Sequence, residues 1–289
     1  MKVKVFLVNA FAKMDEGGNP AGVVLDAEGL QEEDMKKIAK IVGFSETAFV
    51  SNSDVADFKV RFFTPVEEVD LCGHATIALF HTLAEQERID PAIYTQETKA
   101  GVLQVAVKKD RTIMMNQNLP QFFEAVNKEK IADSLNLKLT DIMEELPTQI
   151  VSTGLRDIIV PIKKREVLNA IKPDLNKIID VSRKYNTIGY HLFTLESLGK
   201  AYVHTRNFAP LYGIPEESAT GTSNGALASY LFKYDKYNNK KESQLIVEQG
   251  YSMLKPSEII VELETQEKNI NGVKVGGKAI SFSEIEVSI

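Results

Sequence analysis

The sequence predicts a mixed α/β protein of the α+β kind, with two pseudo-symmetric domains, each a curved mixed sheet rolled around a central helix. Three observations predict it. One motif occurs twice: residues 61–78 read RFFTPVEEVDLCGHATIA and residues 206–228 read RNFAPLYGIPEESATGTSNGALA. The matches are Arg61 with Arg206, Phe63 with Phe208, Pro65 with Pro210, Gly73 with Gly221 and Ala78 with Ala226. Such a repeat implies two similar halves. Strand-like runs interleave with single long helical runs, and at least one strand pair, flanking the turn sequence KKDR, carries an antiparallel hairpin signal.

Element by element, residues 2–8 alternate lysine with apolar residues, as a half-buried strand does. GGNPAG at 17–22 reads as a turn and 23–26 as a second strand. Met35, Ile38, Ala39 and Val42 share one face of a helix over 31–42. FSETAFV at 44–50 runs from a loop into a strand, and 57–63 is a strand leading into the first motif. A helix follows from about 74 to 87, then a hairpin of 102–108 and 112–118. The second half repeats the rhythm: strand 157–163, helix 174–185 after Pro173, strands 190–195 and 201–208, helix 222–234, then strands near 244–248, 258–264 and 272–288, with GGKA at 276–279 as a turn. The join falls within 117–148, a polar and partly helical stretch. The expected division is 1–118 for the first domain and 119–279 for the second.

Composition bounds the function. Hydrophobic content of 44% and charged content of 26% in 289 residues suit an ordinary globular core. A net charge of −6 argues against a general nucleic-acid surface, while leaving room for a small anion held by local dipoles. Cys72 is the only cysteine, so neither an internal disulfide nor a cysteine-based metal site is expected, which fits a reducing cytoplasm. No apolar run approaches membrane-spanning length.

The candidate chemistry centres on the duplicated helix starts. Gly73-His74-Ala75-Thr76 and Gly221-Thr222-Ser223-Asn224 both open helices, whose free amides and dipole attract carboxylate or phosphate. Two such ends facing one cleft would hold an anionic metabolite. A capped structural helix would read the same way, but the duplication favours binding. His74 at its helix start suits proton transfer or orientation near neutral pH. His191 and His204 sit in strands and read as packing residues. His81 lies two turns beyond His74, and no HExxH-type spacing occurs, so no metal site is expected. Glu46 lies between Phe44, Ala48 and Phe49, where partial desolvation would fit it for proton transfer; a strand-entry turn is the bland alternative. Glu216 and Glu217 before the second glycine are dipole partners, proton carriers or substrate-amine contacts, with Glu67, Glu68 and Asp70 in the same place of the first copy. Arg61 and Arg206 read as ion-pair formers. Asn19 is a turn residue whose amide could face a ligand. No Walker loop, dinucleotide fingerprint or nucleophile elbow occurs, so no cofactor is expected.

Four ordered segments, GGNPAGVVL, GFSETAFV, RFFTPVEEVDLCGHATIALF and RNFAPLYGIPEESATGTSNGALASYL, spread over 17–231, resemble the PhzF-like (phenazine-biosynthesis-type) isomerases and epimerases. The resemblance implies the fold shared with diaminopimelate epimerase, a site in the cleft between two domains, cofactor-free proton transfer, a homodimer, and a last strand, 280–289, returning to the first domain. It also implies that Glu46 is the catalytic glutamate, His74 the loop histidine beside Gly73, Glu217 the acid before the second glycine and Thr222 the hydroxyl after it. The chain departs from the pattern at Glu217, where the family has Asp followed by Pro, at Thr222, where it has Ser, and at Asn9, where Asp is typical. Thr220 stands where a dithiol racemase has its second cysteine, which excludes that chemistry. The expected function is a cofactor-independent isomerase of a small carboxylate-bearing metabolite, with Glu46, His74 and Glu217 catalytic and Asn19, Gly73, Ala75, Gly221, Thr222 and Ser223 binding; the rival is a non-catalytic binding or scaffold protein of the same fold.

Overall fold

The computed structural model describes residues 1–15, 17–237 and 244–289. It divides into two compact units, residues 1–116 with 276–289, and residues 117–275. The first unit contains β1 (Lys2–Ala10), β2 (Asn19–Val24), α1 (Glu32–Val42), β3 (Thr47–Ser51), β4 (Phe58–Phe63), β5 (Glu68–Val69), α2 (Gly73–Glu85), β6 (Ile93–Thr98), β7 (Gly101–Val107) and the greater part of β8 (Ile113–Gln117). The second contains β9 (Gln121–Ala125), α3 (Lys128–Ser134), β10 (Gln149–Ser152), β11 (Arg156–Pro161), α4 (Arg165–Ala170), α5 (Leu175–Tyr185), β12 (Gly189–Thr194), β13 (Val203–Ala209), β14 (Ile214–Glu217), α6 (Gly221–Lys233), β15 (Leu245–Gln249), β16 (Ser257–Gln266) and most of β17 (Asn269–Gly277). The final strand, β18 (Ala279–Ser288), pairs with β1 in the first unit.

The strand pairings repeat between the units. In the first, β18–β1 and β1–β2 are antiparallel, β2–β3 parallel, β3–β4 antiparallel, β4–β6 parallel and β6–β7 antiparallel, with β5 as a short antiparallel partner of β4. In the second, β9–β10 and β10–β11 are antiparallel, β11–β12 parallel, β12–β13 antiparallel, β13–β15 parallel and β15–β16 antiparallel, with β14 on β13. Parallel neighbours need a crossover, and each parallel pair here has a helix in its connection: α1, α2, α4 with α5, and α6.

The inner helices differ from the outer ones for a reason visible in their residues. On α1, three acidic residues fill the first turn, and only Met35, Ile38 and Ala39 are buried, so one face packs on the sheet and the other is wet. On α2 every residue from His74 to Leu83 is buried, and on α6 every residue from Ser223 to Leu231 is. A helix buried all round is enclosed, not laid on a surface. The strands of the first unit that pack against α2 are β1, β2, β3 and β18; α6 packs against β10, β11 and β16. The small residues Ala75 and Ala78, and Gly225, Ala226 and Ala228, let the sheets close around these helices.

Two turn expectations are corrected. GGNPAG is not a turn throughout: Asn19 begins β2, paired with Ala10, and the chain turns before it, with Gly18 at φ +87°. Pro20 sits ahead of Gly22, where pairing with β3 begins, so its missing N–H leaves no gap on that side. GGKA is not a turn either, since Gly276 and Gly277 end β17 and only Lys278 separates it from β18. Gly276 is there for closeness: a Cβ on it would fall 1.9 Å from the backbone oxygen of Ile113.

Candidate active site

The repeated motif folds the same way twice. Arg61 donates from Nε and Nη2 to the two Glu68 oxygens, both at 2.7 Å, and Arg206 donates likewise to Glu216, both at 2.8 Å. Each guanidinium also lies over the phenylalanine two residues on, 5.0 Å from the Phe63 ring centre and 4.8 Å from that of Phe208. The reading of both arginines as ion-pair formers holds. It also divides the acidic pair of the second copy. Glu216 corresponds to Glu68 and is committed to Arg206, and Glu217, opposite Asn207, corresponds to Val69, opposite Phe62. The three extra residues of the second copy fall between the short helical turn Pro210–Tyr212 and Glu216, or within that turn.

Both inner helices begin at the glycine of the motif. Cys72 and Thr220 are the N-caps, both extended, and neither side chain bonds the first turn. The early amides, those of Gly73, His74 and Ala75 and of Gly221, Thr222 and Ser223, therefore receive no side-chain cap.

In the first unit two elements bring acid–base groups together. Glu46 sits on the approach to β3, Cys72 caps α2 and His74 is the second residue of that helix. His74 Nε2 lies 3.2 Å from Glu46 Oε2, with the side chains 8% and 20% exposed, respectively. The Glu46 oxygen is itself buried and makes no hydrogen bond. His74 Nδ1 is 3.3 Å from Cys72 Sγ, and Ser45 Oγ is 3.4 Å from Nε2. Burial holds the His74 pKa below the usual imidazole value, opposed by the neighbouring Glu46 charge, so the ring is neutral near pH 7. Asn19, at the start of β2, is buried. Glu46 has no counterpart in the second copy. Thr47 pairs with Phe63 and Tyr190 with Phe208, so Gly189 occupies the Glu46 position.

In the second unit Glu217 is held by a relay. Gln249, fully buried, donates from Nε2 to the Glu217 carbonyl (2.9 Å) and to Thr220 Oγ1 (3.1 Å), and accepts at Oε1 from Thr220 N (3.2 Å) and Asn224 Nδ2 (2.9 Å). Because Thr220 accepts from Gln249, its own proton goes to Glu217 Oε2, at 3.0 Å. Gln249 was not anticipated from the sequence; nothing local marks it, since it comes from β15. Behind it lies a buried polar cluster. Ser223 donates to Asp157 Oδ2 (2.7 Å), Asn207 donates to Ser223 (3.3 Å), and His191 contacts Asn207 (3.1 Å) and Asn224 (3.0 Å). Ser223 can therefore reach a ligand only through its amide. Thr222 is half-buried, and its carbonyl accepts from Thr153. Burial raises Asp157 to about 7 and lowers His191 to about 4. His204, the other strand histidine, is buried against Glu248 and Asn169. Both strand histidines pack in the core, as expected. Among the described residues, no helix is long and apolar enough to cross a membrane.

Comparison with known proteins adds a family and relatives. The model of the phenazine biosynthesis-like proteins matches residues 8–285. A relative in Clostridium acetobutylicum, named an uncharacterised isomerase, is 35% identical, covering 99% of this chain and 98% of its own. The trans-2,3-dihydro-3-hydroxyanthranilate isomerase of Pseudomonas aeruginosa is 25% identical over 96% of each chain. A crystal structure from Bacillus anthracis, described as a phenazine biosynthesis protein of the PhzF family, superposes with TM-score 0.90 at 36% identity over the whole of both chains.

Proposed function

The chain belongs to the phenazine biosynthesis-like protein family and is an isomerase of that kind, and from this premise we propose that it moves a proton on a small carboxylate-bearing metabolite by general acid–base catalysis without a cofactor. The observation that carries the proposal is the pairing of Glu46 with a neutral, buried His74 at an uncapped helix start. Glu46 takes a proton from a carbon beside an activating group and returns it elsewhere on the substrate. His74, with one N–H to give, orients the substrate or carries the proton at its second station. Its neutrality suits a donor that must not lock Glu46 into a permanent ion pair. The amides of Gly73 and Ala75 at one helix start, and of Gly221, Thr222 and Ser223 at the other, are the anion-binding groups, and the Asn19 amide adds a polar contact. Glu217, its orientation fixed by the Thr220 hydroxyl, is the second acid. Its longer reach than the aspartate usual in the family adjusts the pocket to a different substrate. The substrate in the name of the Pseudomonas relative is itself a carboxylate, which supports the substrate class. We further propose a cytoplasmic homodimer, checked by light scattering at twice the chain mass.

The test is incubation with a metabolite extract in heavy water, followed by a search for mass-shifted compounds. Deuterium should enter one carbon-bound position of a carboxylate metabolite, and Glu46→Gln should slow its entry about 10²–10⁴-fold. Ligand uptake without exchange would make the protein a binder, and full exchange by Glu46→Gln would remove Glu46 from the chemistry.

A further inference from the structure

We propose that Glu46, Cys72 and His74 form a transition-metal site at the start of α2, selective for Zn²⁺ or Co²⁺ over Mg²⁺ or Ca²⁺, and that a metal there silences the isomerase by occupying Glu46.

The three donor atoms lie within 4.8 Å of one another. His74 Nε2 is 3.2 Å from Glu46 Oε2 and 4.0 Å from Cys72 Sγ. A tetrahedral ion with bonds of about 2.0–2.3 Å holds its ligand atoms roughly 3.3–3.7 Å apart. The imidazole–carboxylate distance already matches, whereas the sulfur, 3.3 Å from Nδ1, faces the other edge of the ring and must swing about its Cα–Cβ bond toward Nε2 to join the ion. An independent observation points the same way. Glu46 Oε2 is buried without a hydrogen bond although a ring nitrogen faces it. A cation between the nitrogen and oxygen lone pairs satisfies both. Thiolate, imidazole and carboxylate together are a borderline-soft set, suited to zinc and cobalt and poor for the hard cations. The Cys72 S–H gives its proton to solvent as the S–metal bond forms, so the thiolate and carboxylate charges balance the ion. Three protein ligands leave a fourth position for water. Sequence spacing could not find the site, because Glu46 comes from a different element than Cys72 and His74. Among the other histidines, His204 meets Glu248 and Asn169, and His81 lies 3.8 Å from Glu85, with no thiol near either.

The site is tested without turnover. The reduced full-length protein is titrated with Co²⁺, and Zn²⁺ is used to displace it. Expected are one equivalent bound, a sulfur-to-cobalt charge-transfer band in the near ultraviolet, and the visible bands of four-coordinate cobalt. Cys72→Ser should lose the charge-transfer band, and Glu46→Gln and His74→Gln should each weaken binding about tenfold or more, in variants that keep a cooperative unfolding transition. X-ray absorption of the zinc-loaded wild type, which needs no variant, should give one sulfur at about 2.3 Å with nitrogen or oxygen neighbours at about 2.0–2.1 Å. No sulfur in the zinc shell, or an unchanged cobalt spectrum in Cys72→Ser, overturns the site. Deuterium exchange by the metal-free protein separates this inference from the isomerase reading: metal binding without exchange leaves the site standing and sinks the isomerase, and exchange without a sulfur–metal bond does the reverse.

Discussion

At the scale of single residues, the second unit concentrates its polar stakes in Asp157 and Gln249. Asp157 keeps its proton to about pH 7 because burial penalises its charge more than the Ser223 hydroxyl favours it. In the unfolded chain it ionises near 3.8. Between these values the native state binds more protons, so this group removes stability as pH rises through that window. His191, held neutral down to about 4 by burial, acts with the opposite sign below its ordinary pKa of 6.5, and the two contributions offset each other. Asp157→Asn should expose the His191 dependence: urea unfolding of the variant, measured against wild type, should gain about 2–3 kcal/mol between pH 5 and pH 8. An unchanged difference would mean that Asp157 is ionised in the folded protein. Gln249 makes four hydrogen bonds while fully buried, so Gln249→Leu removes four hydrogen bonds to Glu217, Thr220 and Asn224 at once. A loss of about 3 kcal/mol in urea unfolding is expected.

At the scale of elements, the two arginine clamps predict unequal costs. Arg206 is almost fully buried and, besides Glu216, donates to the carbonyls of Leu168 and Ile171 at the end of α4 (3.0 and 2.9 Å). Arg61 is more exposed, and its partner Glu68 has a second cation, Lys99, at 2.8 Å. Arg206→Leu should therefore cost about 3–5 kcal/mol by chemical denaturation and Arg61→Leu about 1–2. Equal losses would show that the α4 carbonyls count for little. Gly276→Ala should cost about 3 kcal/mol in the same assay, because the new methyl falls 1.9 Å from the Ile113 backbone oxygen, which cannot swing away as the neighbouring Met114 sulfur can. The expected turn at 276–279 and the observed strand end share the same glycines. Composition alone does not separate a glycine needed for a turn from one needed for close approach.

At the scale of the whole chain, duplication with divergence governs the layout. Each copy keeps the arginine clamp and the uncapped inner helix, and each carries one acid that the other lacks: Glu46 where the second copy has Gly189, and Glu217 where the first has Val69. The ends of the chain meet in the first unit, where β18 pairs with β1 from Lys2–Ser288 to Ala10–Ala279. Ending the chain after Lys278 strips β1 of that partner and exposes α2, so the truncated protein should lose its cooperative thermal transition or fall out of solution. A sharp, wild-type-like melt would show β18 to be dispensable.

The sequence by itself determined the doubled architecture, both inner helices, the arginine clamps and the family, because these rest on local pattern: apolar periodicity, a glycine at a helix start, and a motif written twice. Only the tertiary structure decided which acid of the Glu216–Glu217 pair is tied up, that Gln249 and Asp157 stand behind the second helix start, and that Cys72 joins Glu46 and His74. Those facts depend on strand register and on side chains brought together from distant elements, and pairing across a sheet leaves no mark on neighbouring letters of the chain.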